Sequence, residues 1–263
     1  GFSGVLGNGD FFGFSLTSIG DLNGDTVNDL AVGAPFDDDG GTDRGAVWIL
    51  FMNTDGTVAS HQKISDTEGS FTGELNNEDN FGSSVSAPGD INGDGVEDIV
   101  VGVPGDDDGG AGRGAVWTLF LNTDGTVASH QKISDTEGGF DGSLDNEDGF
   151  GLETEVINDL NSDGINDLIV SAVNDDDGGT DHGAVYILFL KDDGTVFSYQ
   201  KISDTEGSFS GAIDDNDSFG FSVTAPGDLD GNGYEDLVVG SQEVDDGGSN
   251  RGAVWVLFLD AAE

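Results

Sequence analysis

A unit of 69 residues is repeated along this chain, and the repetition limits the possible folds more than any other feature does. The pair Phe-Gly begins at residues 12, 81, 150 and 219, so the spacing is 69 each time. The octapeptide QKISDTEG occurs three times with the same spacing. A chain with this period folds as an array of equivalent units, in which each unit buries its apolar faces against its neighbours.

Each unit contains four stretches that are typical of short β-strands. β-branched and aromatic residues fill these stretches, and an Asp-Gly pair within 122–126 is a strong hairpin signal. The 45 glycines indicate many tight turns, and no segment has a capped helical period. The sequence therefore predicts an all-β, β-propeller-like fold of four tandem four-stranded antiparallel units, with a solenoid of stacked hairpins as the alternative. In the second unit the predicted strands are Gly82–Ala87, Asp98–Val103, Gly114–Leu121 and Val127–Ile133.

The units are predicted to form one repeat domain, 1–263, divided into 12–80, 81–149, 150–218 and 219–263, with 1–11 as a partial preceding unit. The last unit is expected to lack its outer strand, because the counterpart of Val196–Ile202 would lie beyond residue 263. Residues 2–10 correspond to the loop 71–79 and do not supply that strand. We therefore expect either a closed ring with one thin blade or an assembly of chains, since an open strand edge invites pairing.

An acidic loop with the pattern D-x-[DN]-x-[DN]-[GT]-x-x-D separates the first two strands of every unit. Ca²⁺ takes six to eight oxygen ligands, and oxygen side chains at positions 1, 3, 5 and 9 with a carbonyl at position 7 can supply them. Asp, Asn and Gly also form ordinary turns, but four loops in register favour a metal site. Thr26 replaces the usual glycine at position 6 of the first loop, so that site is expected to be weaker or strained.

The predicted ligands imply about four Ca²⁺ ions, one per repeat, because Mg²⁺ tends to keep its waters and transition metals favour His or Cys. They are Asp21, Asn23, Asp25, Val27 and Asp29 in the first loop; Asp90, Asn92, Asp94, Val96 and Asp98 in the second; Asp159, Asn161, Asp163, Ile165 and Asp167 in the third; and Asp228, Asp230, Asn232, Tyr234 and Asp236 in the fourth.

The charge of the chain narrows its possible partners. It has 53 acidic and 7 basic residues, a formal net charge of -46, and no cysteine. Phosphate binding needs Lys and Arg, so nucleic acid is excluded as a partner, and no apolar run is long enough to insert into a membrane. The absence of a starting Met or signal peptide predicts a mature secreted product or a segment of a longer protein. Calcium can stabilise such a chain in place of disulfides.

These motifs resemble the FG-GAP repeat, and the resemblance covers essentially the whole chain. The second unit combines Phe81-Gly82, the loop Asp90–Asp98 and Val101-Gly102-Val103-Pro104, while the first ends in Gly33-Ala34-Pro35. The third and fourth units depart at this last element. The family includes integrin α subunits and many bacterial surface proteins. The resemblance implies a propeller with calcium in hairpin loops on one face, and a role in adhesion or surface architecture.

Further charged residues recur at fixed positions of the unit. A second acidic cluster, with the pattern DDDGG, predicts either another cation site or a solvated loop. A third cluster before each Phe-Gly predicts a solvated loop, with a calcium site or a partner surface as the alternative. The few basic residues are expected to form structural ion pairs with the acidic loops. The second cluster comprises 37–39, 106–108, 175–177 and 245–246; the basic positions are Arg44, Arg113, Arg251, His182, Lys63, Lys132 and Lys201.

The aromatic residues are expected to have packing roles. Trp48, Trp117, Tyr186 and Trp255 occupy one position of the unit and predict blade or inter-blade packing, with sugar stacking as the alternative. His61 and His130 correspond to Tyr199, which argues against a catalytic role for the histidines.

Three functional hypotheses remain from the sequence, and the favoured ones predict a protein that is not an enzyme. The first is an extracellular calcium-binding protein with a structural or adhesive role at the cell surface or matrix, contacting a surface protein or glycan. The second is a self-assembling subunit of an extracellular filament or layer, joined through the open edge of the fourth unit. The third is a carbohydrate-binding or carbohydrate-active propeller, which the near identity of the units disfavours, because an active site normally breaks such symmetry.

Overall fold

Fifteen β-strands account for the regular structure of this chain, and the computed structural model describes residues 1–245 and 247–260. Within these ranges the protein is all-β. The strands are β1 Leu16–Ser18, β2 Leu30–Ala34, β3 Ala46–Met52, β4 Val58–Ser65, β5 Val85–Gly89, β6 Asp98–Val103, β7 Ala115–Leu121, β8 Val127–Ser134, β9 Thr154–Ile157, β10 Asp167–Ala172, β11 Ala184–Leu190, β12 Val196–Ile202, β13 Phe219–Gly227, β14 Asp236–Ser241 and β15 Ala253–Leu257.

The strands form four antiparallel sheets, which are the blades of a four-bladed β-propeller. Blades 1, 2 and 3 are β1–β4, β5–β8 and β9–β12, and blade 4 has the three strands β13–β15. Neighbours in sequence are neighbours in each sheet; in blade 2, for example, Trp117 lies between Val101 and Lys132. The predicted fold class and the missing outer strand of the last unit are therefore confirmed. The unit boundaries stay a prediction, because the strands do not fix where one repeat passes into the next.

Three apolar cores join consecutive blades, because alternate side chains of a strand point to opposite faces of its sheet. Val47 and Ile49 of blade 1 pack with Trp117 of blade 2, and all three side chains are buried. Corresponding cores join blade 2 to blade 3 and blade 3 to blade 4. A fourth cluster lies on the other face of blade 1 and is covered only by residues of blade 1 and the N-terminal segment, including Phe2 and Phe12.

The seam between blades 4 and 1 differs from these three joints. No hydrophobic cluster within 1–245 and 247–260 contains residues of both blades. Val254 and Val256 of blade 4 are 69% and 46% exposed. Apolar cores therefore join blades 1, 2, 3 and 4 in sequence, whereas blade 4 exposes apolar side chains on its other face.

The pairs Phe81-Gly82 and Phe150-Gly151 link a blade to the preceding one without starting a strand, whereas Phe219 is the first residue of β13. β5 begins at Val85 and not at the predicted Gly82, because Gly82 has a φ of 95° and lies in a turn. Phe81 instead forms a parallel bridge with Gly45 of the preceding blade. A Cβ at Gly45 would overlap the carbonyl oxygen of Phe81, so this position requires glycine. The other strands of the second unit lie within a residue of their predicted bounds.

The described ranges contain no helix that could span a lipid bilayer.

Candidate metal centres

The four acidic loops take the same place in every blade, between the first and second strands. In blade 2 the loop follows β5, which ends at Gly89, and runs into β6, which begins at Asp98. The strand order repeats in every sheet, so the four loops occupy equivalent ends of their blades. The sequence prediction that these loops are equivalent structural elements is therefore confirmed, whereas their role as metal ligands stays a prediction.

Backbone amides hold the side chains at positions 1, 3 and 5 over the loop. In blade 2 the N–H groups of Asp94 and Gly95 donate to the Asp90 carboxylate, at 3.0 and 2.7 Å. The N–H of Asp94 also donates to Asn92 Oδ1 at 2.9 Å, and the N–H of Val96 donates to Asp94 Oδ1 at 2.9 Å. The other three loops repeat these bonds. The polypeptide thus concentrates several oxygen side chains on one short loop, since each carboxylate retains further acceptor sites.

The aspartate at position 9 anchors the loop to the blade. Asp29, Asp98, Asp167 and Asp236 are fully buried. The carboxylate of Asp98 accepts the N–H of Ile91 at 3.0 Å and that of Leu121, at the end of the third strand, at 3.1 Å. Burial raises the pKa of Asp98 to about 7 and that of Asp167 to about 7, because desolvation disfavours the charged form. A bound cation would favour the ionised form of these carboxyls.

The fourth loop brings three carboxylates together. Asp228, Asp230 and Asp236 each offer an oxygen, and these oxygens lie within 4.8 Å of one another. In the first three loops position 3 is Asn, so an amide oxygen stands where Asp230 supplies a carboxylate. All the donors are oxygens, which fits a hard cation such as Ca²⁺ better than a transition metal. The residues present therefore fit calcium held by positions 1, 3, 5 and 9 and by the position 7 carbonyl.

Position 6 requires a left-handed backbone conformation. Gly95, Gly164 and Gly233 have φ values of 90°, 97° and 97°, and Thr26 has 73° at the same position. A threonine in this region is strained, because its β-branched side chain crowds the backbone. The expected strain in the first loop is therefore confirmed. In the third loop a non-glycine residue at position 4, Ser162, also has a positive φ, of 63°.

The DDDGG cluster forms ion pairs with a lysine side chain of the fourth strand in blades 1, 2 and 3. Lys132 of β8 lies 2.6 Å from Asp106 and 2.7 Å from Asp108, and its side chain is 8% exposed. Lys63 and Lys201 make the same pairs in blades 1 and 3. These carboxylates raise the pKa of Lys132 against the opposing effect of burial. The solvated loop, one of the two predicted alternatives, is wrong for the first aspartate of the cluster, which is buried in blades 1, 2 and 3; a metal site in this cluster stays a prediction.

Blade 4 replaces this buried ion pair with apolar packing. The residue at the position of Asp106 is Val244, which is 5% exposed. Asp246, which was assigned to the same acidic cluster, lies outside the described residues.

The structure confirms the predicted ion pairs at two of the arginines. Arg44 Nη1 lies 2.8 Å from Asp66, and Arg113 Nη1 lies 2.6 Å from Asp135. His182 takes the arginine position in blade 3, where its Nε2 lies 3.3 Å from Asp215.

The acidic cluster before each Phe-Gly was predicted to be solvated, and this is wrong for its last aspartate. Asp79 is 1% exposed, its carboxylate accepts the N–H of Asn76 at 2.6 Å, and burial raises its pKa to about 7. In blade 3 its counterpart, Asp148, lines a cavity of about 250 Å³ together with Asp175 and Lys201. This aspartate always lies two residues before the Phe-Gly, and that constant position is the sequence signal that could have predicted its burial.

The aromatic residues at the position of Trp48 pack as expected, although Trp255 of blade 4 is only partly buried, against Phe209. Trp48, Trp117 and Tyr186 are buried, with exposed fractions of 4%, 5% and 0%. The rings of His61 and His130 lie 5.2 and 5.0 Å from those of Trp48 and Trp117, centroid to centroid. Stacking of a sugar on these tryptophans would require them to be exposed.

Comparison with protein families finds the FG-GAP repeat in three of the four units. The family model matches residues 12–50, 81–119 and 219–257. Each match begins at a Phe-Gly pair and ends within the third strand of a blade. The third unit is unmatched; it has Ser171-Ala172-Val173 where the first unit has Gly33-Ala34-Pro35.

Curated relatives of this chain include several integrin α subunits. It is 30% identical over 245 residues to integrin alpha-PS2 of Drosophila melanogaster, across 92% of this chain and 16% of the relative. It is 36% identical over 169 residues to mouse integrin alpha-2, across 63% and 13% respectively. It is 32% identical over 248 residues to integrin alpha pat-2 of Caenorhabditis elegans, across 88% and 18%. The chain therefore spans less than a fifth of the length of these relatives.

Proposed function

Because the chain belongs to the family of FG-GAP repeat, integrin-α-like propellers, we propose that it is an extracellular calcium-binding module with a structural or adhesive role at the cell surface or matrix. The observation that carries the proposal is the set of four loops in register. In every blade the same backbone amides organise the same oxygen side chains beside a buried aspartate. Ordinary turns would not need a buried carboxylate at the same position of all four loops.

Calcium would have a mainly structural role in this protein. One ion in each loop would neutralise clustered carboxylates in a chain of net charge -46 and would stabilise the folded state by mass action. Extracellular calcium modules bind with a Kd of roughly 10⁻⁴–10⁻³ M, which matches the calcium concentration outside cells. This match supports an extracellular location, as does the similarity of the chain to integrin α subunits.

Adhesion, rather than catalysis, is the activity that we propose for this propeller. The relatives are integrin α subunits, and two of them align with 92% and 88% of this chain. The proposed ligand is a surface protein or a glycan. The units are nearly identical in sequence, and a site with a unique acid, base and nucleophile would normally break that symmetry.

The calcium proposal is tested by titrating the chelated protein with Ca²⁺ in a calorimeter and by following its melting temperature. We expect about four sites and a clear rise in melting temperature with calcium. Asp94→Ala should remove one site and lower the melting temperature in calcium. The matched control is Asp107→Ala, which removes an exposed aspartate of the DDDGG cluster and should retain all sites. Equal, negligible effects of the two substitutions, or no binding at millimolar calcium, would overturn the assignment.

Self-assembly into an extracellular filament or layer is the second candidate function. It is favoured by β15, which pairs with β14 on one side and with no strand of the described ranges on the other. An unpaired edge of this kind can add a strand from another chain. Negative-stain imaging with and without calcium tests this candidate, because filaments or sheets support it and isolated particles contradict it.

A further inference from the structure

The cavity of about 250 Å³ in blade 3 is lined by the DDDGG cluster and by the acidic segment before Phe150. The candidate calcium loop of this blade leads into the start of β10, whereas the DDDGG cluster follows the end of β10. The two places therefore lie at opposite ends of one strand, and the cavity is separate from the candidate metal centres. At about 30 Å³ per molecule, it has room for about eight waters or for a small organic ligand.

Carboxylates dominate the wall of this cavity. Seven carboxylates line it, and the only basic residue among its lining residues is Lys201. This lysine is already paired, because its Nζ lies 2.7 Å from Asp175 and 2.6 Å from Asp177. The lining therefore keeps an excess of negative charge, which favours a cationic ligand. Asp141 and Glu206, which also line the cavity, are exposed, so a ligand can approach from solvent.

One buried carboxylate of the cavity lacks a partner for one of its oxygens. Asp148 is 2% exposed, and its Oδ2 accepts the N–H of Asp145 at 2.8 Å. Its Oδ1 accepts no hydrogen bond from the residues within 1–245 and 247–260. Burial raises the pKa of Asp148 to about 7, and the charges of Asp175 and Asp145 add to this effect. A buried oxygen of this kind needs a ligand or a water that donates to it.

Two tyrosines supply the aromatic part of the wall. The ring centroids of Tyr186 and Tyr199 lie 6.0 Å apart, with an angle of 46° between the rings. Lys201 Nζ lies 5.4 Å from the centroid of Tyr186, so the chain itself already places an ammonium group against this wall. Aromatic faces attract ammonium groups because the ring carries negative charge on its face. The cavity thus combines carboxylates that accept N–H bonds with rings that attract positive charge.

The corresponding place in blade 2 is built differently. Thr72 and His130 stand where blade 3 has Asp141 and Tyr199. Thr72 Oγ1 lies 3.0 Å from His130 Nε2, which is hydrogen-bond distance, and the equivalent pair in blade 1 lies 3.4 Å apart. Asp141 and Tyr199 make no such bond within the part of the chain that the structure describes. Blade 3 has therefore lost the contact that joins the acidic segment to the outer strand in blades 1 and 2.

We propose that the cavity of blade 3 binds an alkylammonium group, supplied by a small aliphatic amine or by the lysine side chain of a partner. The ammonium group donates to Oδ1 of Asp148, and the alkyl chain lies along Tyr199. A single metal ion fits less well, because the one group of three acidic residues with oxygens within 4.8 Å of one another in the described ranges is in the fourth loop. Carboxylates spread over a cavity suit a ligand with several N–H donors. The inference does not depend on calcium binding by the loops.

The test is a calorimetric titration with 1,4-diaminobutane in millimolar calcium and about 0.15 M salt, which screens weak binding to the surface charge. We expect one saturable site. Asp148→Asn should weaken binding about tenfold, the effect of losing a hydrogen bond to a charged group, while the amide oxygen can still accept the N–H of Asp145. Asp79→Asn makes the same change at the counterpart in blade 2 and is the matched control. It should change the affinity by less than about twofold.

Three further samples make the result decisive. 1,4-Butanediol has the same length without the charge and should not bind. Nα-acetyl-lysine amide identifies the source, because tighter binding than diaminobutane assigns the site to a lysine side chain and weaker binding assigns it to a free amine. Asp141→Thr combined with Tyr199→His installs the contact of blade 2 and should abolish the site, with the melting temperature confirming that the variant is folded.

Four outcomes would overturn the proposal. They are the lack of a saturable site, equal weakening by Asp148→Asn and Asp79→Asn, binding of the diol as tight as that of the diamine, and a fifth calcium site that Asp148→Asn removes. Equal weakening would mean that the amine binds the general negative charge of the chain. A fifth calcium site would mean that the cavity holds a metal ion.

Discussion

Blade 2 and blade 4 have closely similar strand sequences but different surroundings. Val116 of blade 2 is 0% exposed, and its counterpart Val254 in blade 4 is 69% exposed. Phe120 and Phe258 differ in the same way, at 5% and 58%. The difference shows that a blade of this type supplies only one side of the apolar core that its side chains form. The other half comes from the next blade, so the same residue stabilises the fold in one unit and lies on the surface in another.

The two blades also treat one buried position differently. Asp106 in blade 2 is held by Lys132 of the outer strand β8. Blade 4 has three strands, and Val244 occupies the corresponding position. A buried carboxylate without a positive partner is strongly unfavourable, and valine avoids that cost. The change of residue therefore agrees with the change in the number of strands.

The largest expected effect comes from truncating the equivalent phenylalanines. Phe120→Ala should lower the free energy of unfolding by about 3–5 kcal/mol, because it leaves a cavity at the joint with blade 3. Phe258→Ala should change it by less than about 1 kcal/mol, since that side chain is exposed. Chemical denaturation in calcium, at protein concentrations that keep the chain monomeric, measures both. Equal losses would mean that blade 4 is covered in solution and would remove the contrast between the blades.

A smaller effect is expected when the residue of blade 4 is placed in blade 2. Asp106→Val should destabilise the protein by about 3 kcal/mol, the lower end of the range for breaking a buried ion pair, because Lys132 retains Asp108. Adding Lys132→Met should recover most of the loss, since the buried charge is then removed. A double variant as unstable as the single one would show that the ion pair is not the reason for the difference. Thermal melting of the three proteins provides the measurement.

The smallest expected effect concerns the acidic loops, where the first blade differs from the second. Thr26→Gly should raise stability in calcium by about 1 kcal/mol, because glycine adopts the positive φ of position 6 without strain. The reverse change, Gly95→Thr, should lower it by a similar amount. Melting curves at saturating calcium report both, and effects of the same sign would contradict the role of backbone strain.

The sequence predicted the elements whose causes are local. The Asp-Gly hairpin between β7 and β8 and the strand Asp98–Val103 follow from turn chemistry and from a run of β-branched residues. The ion pairs predicted for Arg44, Arg113 and the three lysines of the fourth strands were confirmed, but the burial of the lysine pairs was not predicted. Asp106 and Asp79 read as loop residues in the sequence, and they are buried because β8 and the neighbouring blade cover them. Burial of this kind depends on contacts between distant segments, which a local pattern does not contain.

The Phe-Gly link was also misplaced by local reasoning. Gly82 and the residues after it alternate like a strand, but the positive φ of Gly82 turns the chain toward the preceding blade. The motif was identified from its spacing, whereas its contact with Gly45 required the three-dimensional arrangement. The metal ligands stay a prediction, for which the fourth loop provides the most direct geometric support.

The joint between blades is made largely by the main chain, and this bears on how such proteins change in evolution. The donor is the N–H of a phenylalanine, and the acceptor is the carbonyl of Arg44 or Arg113 in two joints and of His182 in the third. The bond survives this exchange of side chains. Duplication or deletion of one whole 69-residue unit therefore adds or removes the donor and the acceptor of this main-chain contact together. The number of blades can change by copying genetic segments, without new residues being selected at any joint.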